Sequence, residues 1–208
     1  MAPQTVTNAI NALRNQGLIV GVTGSGWYVR PQPRVMRLTR SRLSRAERAA
    51  DRGIVTSDAH ADGPTARADV NVRVEPARDE VAAALEIAPG TEVLVRDRVM
   101  FADDDPVQLA TSHLPREITR GTAIEHNDAG AGGVHARLEE SGHALVHFQE
   151  AVRIGQASEH EAALLSVPVG SPLYRIRRVA HAATRPVEAN VITAVAERYE
   201  LFYELPAE

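Results

Sequence analysis

TEVLVRDRVMFADDDPVQLATSHLP, residues 91–115, is the stretch on which the reading of the fold turns. Residues 91–101 alternate in the period-2 pattern of a strand. Leu94, Arg96, Arg98 and Met100 fall on one face, and Val95, Asp97 and Val99 on the other. Asp103, Asp104, Asp105 and Pro106 form a turn, and residues 107–115 return as the hairpin partner. Two guanidiniums side by side on one strand face suit an anionic ligand, because each can fork onto a carboxylate or phosphate. The same pair also suits a solvated face balanced by local acids.

Working outward, VNVRVEP (70–76) alternates as another strand. DEVAAALEIA (79–88) is an amphipathic helix closed by Pro89 and Gly90. Residues 134–141 read as a short helix stopped by Gly142, and residues 143–155 as a strand. Ser158 with Glu161 has the spacing of a capping box that opens a helix over 158–167. Residues 173–205 supply two or three further strands. The strands return by hairpins and the helices are few, which predicts an α+β domain with a mainly antiparallel sheet.

Towards the N-terminus, residues 5–16 carry Val6, Ala9, Ile10 and Leu13 at helical spacing, and Gly17 suits the helix end. Two short β-rich runs, 18–20 and 27–29, flank Thr23, Gly24, Ser25 and Gly26 as a hairpin. A helix followed by a hairpin is the second half of a winged helix, although an unrelated helix and hairpin would read the same way. Gln4, Thr5 and Asn8 have the side chains that reach base edges, since Asn and Gln can pair bidentately with adenine. A tip of Gly24, Ser25 and Gly26 allows backbone to approach DNA closely. Residues 31–69 read as an Arg-dense linker that ends in a low-complexity loop, 57–69. The expected division is 1–30, 31–69 and 70–208.

Charge follows that division. All 23 basic residues are arginine, a coding bias in itself, but their placement is uneven. Residues 1–52 carry nine arginines against two acids, while the remainder carries 14 against 25. A basic end on an acidic body suggests a polyanion-binding segment and a body with another task. Absence of cysteine excludes disulfides, thiolate metal sites and cysteine nucleophiles. No apolar run nears the roughly 20 residues of a membrane span, and the first residues lack signal-peptide character. The eight histidines are scattered without metal-binding spacing; His143 and His147 stand four apart in a strand. Asp103 to Asp105 lack the glycine and distal Glu of a calcium loop. No nucleophile elbow is present. The expectation is a cytoplasmic non-enzyme with no cofactor, no metal and no membrane partner.

The helix from Thr5 and Val6, then Gly17, Leu18 and Ile19, then Gly24 to Gly26 and Trp27, Tyr28 and Val29, resembles the end of the GntR-family winged helix. That family has two further helices upstream, so the resemblance implies an N-terminally truncated DNA-binding half. Pro3 and Gln4 stand where the family often has Ser and Arg. Residues 70–205 resemble the UTRA sensing domain of the HutC subfamily, which has a chorismate-lyase-like fold. The pieces that match are Ala84-Leu85, Gly90, Arg96/Arg98, Asp105 to Val107, Ser112, Leu114-Pro115, Leu138-Glu139, Glu150, Leu164-Leu165, Gly170, Pro172-Leu173, Arg178, Pro186 to Glu188 and Arg198-Tyr199. The resemblance implies an effector site of Arg96, Arg98, Ser112, His135, Glu150, Arg178, Glu188 and Tyr199. It implies a homodimer, operator DNA as a partner, and repression relieved by a small effector. Phosphosugar-sensing members often open the short helix with Ser and Tyr. Here Gly132, Gly133, Val134 and His135 stand instead, so an anionic effector is expected without transfer of a phosphosugar. The alternative is an orphan small-molecule-binding module without competent DNA binding.

Overall fold

The computed structural model describes residues 3–15, 18–22, 24–29, 36–39 and 66–203. The chain forms two compact units, one within residues 1–34 and one within 35–208. In the first, helix α1 (Pro3–Asn15) opens on a proline, whose fixed φ suits a first helical turn. Strands β1 (Ile19–Val22) and β2 (Gly26–Val29) pair antiparallel. Gly24 and Gly26 at the tip have φ of 77° and 118°, which side chains resist. The expected helix end at Gly17 and turn residue Thr23 lie outside the described residues.

The second unit is built on a six-stranded sheet in the order β4-β5-β6-β9-β8-β7, antiparallel throughout. Its strands are β4 (Ala66–Pro76), β5 (Glu92–Ala102), β6 (Asp105–Pro115), β7 (Leu145–Gln156), β8 (Pro172–Ala182) and β9 (Pro186–Val195). The hairpin quoted at the outset is β5–β6. Helix α2 (Asp79–Leu85) follows β4, and helix α3 (Arg116–Thr119), a 3₁₀ turn (Ala123–Glu125) and helix α4 (Gly133–Glu140) follow β6. Helix α5 (Glu159–Leu165) follows β7 and carries the expected Ser158/Glu161 capping box. Strand β10 (Tyr199–Phe202) pairs in parallel with β3 (Met36–Thr39).

Two expectations need correction. The stretch expected to be linker holds strand β3, and β4 begins at Ala66 inside the expected loop. Both runs are stabilised by pairing with distant strands, β10 and the end of β5, which local composition does not report. The rest of that linker, 40–65, lies outside the described residues.

The sheet contains a repeat at a spacing of 80 residues. Ala77, Ala82, Leu85 and Gly90 in the first half occupy the places of Ala157, Ala162, Leu165 and Gly170 in the second. The turn bonds repeat as well. Ala77 N–H donates to Thr91 O at 2.8 Å and Ala157 N–H to Ser171 O at 2.9 Å. Gly90 N–H donates to Ala77 O, and Gly170 N–H to Ala157 O, both at 2.9 Å. Each helix buries its apolar stripe on the same sheet face. Ala82 and Leu85 pack on Val93, Val95 and Ala189, while Ala162 and Leu165 pack on Leu173 and Val195. The opposite face carries two apolar clusters, one with Leu94, Leu114, Ile124 and Leu138, the other with Ala110, Ile176, Ile192 and Tyr199. A polar band separates them.

Candidate functional site

Strand register builds the band. Val72 pairs with Arg96, Arg96 with Ser112, Ser112 with Asn190, Asn190 with Arg178 and Arg178 with Glu150. One row across all six strands thus collects residues from four separated stretches of sequence. Arg98 stands two residues from Arg96, and Glu188 two from Asn190, on the same face. Arg96, Ser112, Arg178, Glu188 and Asn190 are all buried, as is His135 from α4.

At the centre is the Glu188 carboxylate. Ser112 Oγ donates to its Oε1 at 2.5 Å, and His135 Nε2 lies 2.7 Å from Oε2. A carboxylate only accepts, so that ring nitrogen carries the hydrogen. Ser112 Oγ in turn accepts from Arg98 Nη2. Burial opposes charge on Glu188, but His135, Arg98 and the Ser112 hydroxyl more than offset it and hold the carboxyl at about 2. Glu188 is therefore ionised at neutral pH. Arg98 is lowered by burial, opposed by Glu188 and deepened by Arg178. Arg178 Nε donates to Glu150 Oε1 at 2.6 Å.

Arg96, expected to face an effector, does something else. Its Nη1 donates to the carbonyls of Ile124 and His126, and its Nη2 to that of Asn127 at 2.8 Å. Burial first, and then the neighbouring charge of Arg98, lower it to about 10. It holds the loop that leads into α4. That helix is capped by Gly132 and starts at Gly133, with φ of 74° and 65°, a turn that β-carbons would strain. Tyr199 packs in the apolar cluster of Ile176 and Ile192. The structure thus joins Arg98, Ser112, His135 and Glu188 in one chain of contacts and sets the Arg178–Glu150 pair beside it.

Sequence reasoning missed Asn190. Its Oδ1 has no hydrogen-bond partner among the described residues, and neither do Arg98 Nε and Arg178 Nη1. The signal available was its place two residues after Glu188. A buried band with spare cationic donors and a spare acceptor can take an anion that carries a hydroxyl or N–H group. Two surface grooves of about 790 and 610 Å³ lie elsewhere, and neither is lined by Arg98, Ser112, His135, Arg178 or Glu188. Helix α4 covers the cluster through His135.

Among the described residues, no group of three or more His, Asp or Glu is placed to hold a metal ion. His147 meets His181 across the β7–β8 pair, stacked at 4.3 Å. No described helix is long and apolar enough to cross a membrane.

In the first unit, Gln4, Thr5 and Asn8 are exposed on α1, and Gln4 Nε2 donates to Asn8 Oδ1 at 3.1 Å. Gly24, Ser25 and Gly26 are exposed at the tip, where Ser25 Oγ and Tyr28 OH lie 2.6 Å apart.

The UTRA domain family matches residues 67–200. An uncharacterised HTH-type transcriptional regulator of Streptomyces coelicolor is 29% identical over 197 residues, 91% of this chain and 71% of that protein. The HTH-type transcriptional repressor NagR of Bacillus subtilis is 22% identical over 178 residues, 85% of this chain and 68% of that protein. A crystal structure described as a GntR-family transcriptional regulator superposes with a TM-score of 0.75 at 25% identity, covering 100% of this chain and 84% of that one. PhnF of Mycobacterium smegmatis shares the fold, with a TM-score of 0.69 at 23% identity over 100% of this chain and 87% of that one. The Streptomyces and Bacillus relatives are transcriptional regulators, the first of the two crystal structures is of the GntR family, and the chain itself belongs to the UTRA domain family.

Proposed function

We propose that this protein is a DNA-binding transcriptional repressor of the HutC branch whose UTRA domain binds a small anionic effector. The observation that carries the reading is the buried band in which Arg98 Nε and Arg178 Nη1 are cationic donors without partners among the described residues, beside the acceptor Asn190 Oδ1. Such groups are costly to bury unless something completes them. Arg98 and Arg178 meet the effector's anionic group, Ser112 and His135 orient it, and Asn190 accepts from its hydroxyl or N–H. Glu188 keeps the cluster in register, and Arg96 positions the loop before α4. Access to the buried band requires α4 to move.

Gln4, Thr5 and Asn8 read base edges, while Gly24, Ser25 and Gly26 approach the backbone. The protein acts in the cytoplasm as a homodimer on a two-fold operator, and the effector shifts the balance between two arrangements of differing operator affinity. Selection of duplexes from a random library by the full chain, followed by anisotropy on the enriched sequence, tests this. The expected result is a palindromic site whose affinity falls when fractions of an anionic metabolite extract are added. Recovery of no enriched sequence would overturn the repressor reading and leave a small-molecule-binding module.

A further inference from the structure

The polar band does not end at Arg178. Glu150 on β7 accepts from Arg178 Nε at 2.6 Å through Oε1, and its Oε2 lies 3.5 Å from the Tyr203 hydroxyl, which donates to it. Tyr203 is the residue immediately after β10, and β10 is the strand that pairs with β3. Along the chain, β3 is the first described element after the N-terminal unit. Arg178 is 1% exposed, its Nη1 has no partner among the described residues, and its Nη2 lies 2.6 Å from the same Glu150 oxygen. One guanidinium thus faces the Glu150 side chain on one side and the proposed effector position on the other.

We propose that the Arg178–Glu150–Tyr203 series is the trigger through which occupancy of the band is passed to β10 and its partner β3, with Tyr203 as a positioning residue. The proposal rests on the effector reading given above and adds its regulation. A second anion on Arg178 shares the charge that holds Glu150, and two carboxylate-type groups around one guanidinium repel each other. Glu150 then turns from Arg178, and the Tyr203 contact changes with it. Because β10 and β3 are joined by backbone pairing over four residues, Met36 to Thr39 against Tyr199 to Phe202, what shifts β10 also shifts β3. The device is a two-state contact at the end of a short ladder, which is what coupling between distant sites needs. Tyr203 is 41% exposed, so altering it leaves the buried core intact.

Amide hydrogen exchange on the full chain tests the proposal without an effector, on the wild type, Tyr203→Phe and Glu150→Gln. Loss of one hydrogen bond should raise exchange of residues 36–39 and 199–203 about fivefold in both variants, with β5 and β6 unchanged. Unchanged exchange at 36–39 in Tyr203→Phe would overturn the trigger. If Glu150→Gln raises exchange uniformly because Arg178 is left uncompensated, Tyr203→Phe alone decides. Neither variant alters Arg98, Ser112 or His135, so a negative result here leaves the effector reading standing. That reading fails separately, if anion binding survives loss of Arg98 and Arg178.

Discussion

The two halves of the sheet, β4-α2-β5-β6 and β7-α5-β8-β9, share a frame and differ in what they carry. Arg98 and Arg178 occupy the same place in the two halves, 80 residues apart. Around them the pattern diverges. Arg96 is matched by Ile176, Ser112 by Ile192, Asn190 by Ala110 and Glu188 by Gln108. The first half contributes the loop clamp and the hydroxyl, while the second contributes the carboxylate and the amide. The apolar frame is thus a scaffold used twice: the copies share the arginine pair, and they differ at the inward-facing positions around it.

The sharpest way to break this comparison is to make the second half copy the first. Glu188→Gln puts the residue type of position 108 at position 188 and removes the carboxylate from between Arg98 and His135. Breaking a buried ionic cluster at one partner should cost about 3–5 kcal/mol in a denaturant titration. A cost below about 1 kcal/mol would mean that the cluster does not hold the unit together. The same residue gives the pH dependence its sign. Glu188, and Glu161 paired with Arg175, are both lowered from 4.5 to about 2. A depressed carboxyl adds stability that is fully present above the unfolded value and is lost as pH falls towards the folded one. Stability should therefore decline as pH falls from 4.5 to about 2. Glu188→Gln should flatten that decline more than Glu161→Gln, whose carboxylate is partly solvated.

Frame positions should respond alike. Leu85→Ala and Leu165→Ala remove equivalent side chains, 1% and 2% exposed. Each should cost about 2–5 kcal/mol by thermal or chemical unfolding, with the two values close together. A large inequality would show that the halves only look alike. The smallest effect lies at the helix starts. Ser158 caps α5 with a side-chain bond, while Arg78 at the same place on α2 makes none. Ser158→Ala should lose about 1 kcal/mol and Arg78→Ser should gain a smaller amount, each read as a shift in unfolding midpoint.

The first half was the more legible in sequence. β5 alternates cleanly and its hairpin turn is marked by Asp and Pro, so Arg96 and Arg98 could be placed on one face in advance, while Ser112 was reached only through the family resemblance. β9 reads PVEANVITAV and is buried at nine of its ten positions. A strand covered on both faces loses its period-2 signal, so Asn190 did not stand out. Arg96 was placed on the correct face, but its carbonyl partners come from a loop that periodicity cannot position. Helix α3 and the 3₁₀ turn are four and three residues long, too short to show a helical period. β3 exists as a strand through pairing with β10, more than 150 residues away in the chain. The repeat was legible in principle, as alanine, leucine and glycine recurring at one spacing, but few other residues recur with them.

The central claim is that Arg98 and Arg178 together take the anionic group of an effector. Thermal unfolding of the full chain against a panel of anionic metabolites, for the wild type and for Arg98→Met with Arg178→Met, tests it most directly. At least one compound should raise the wild-type midpoint and leave that of the double variant unmoved. An equal rise in both proteins would contradict the account.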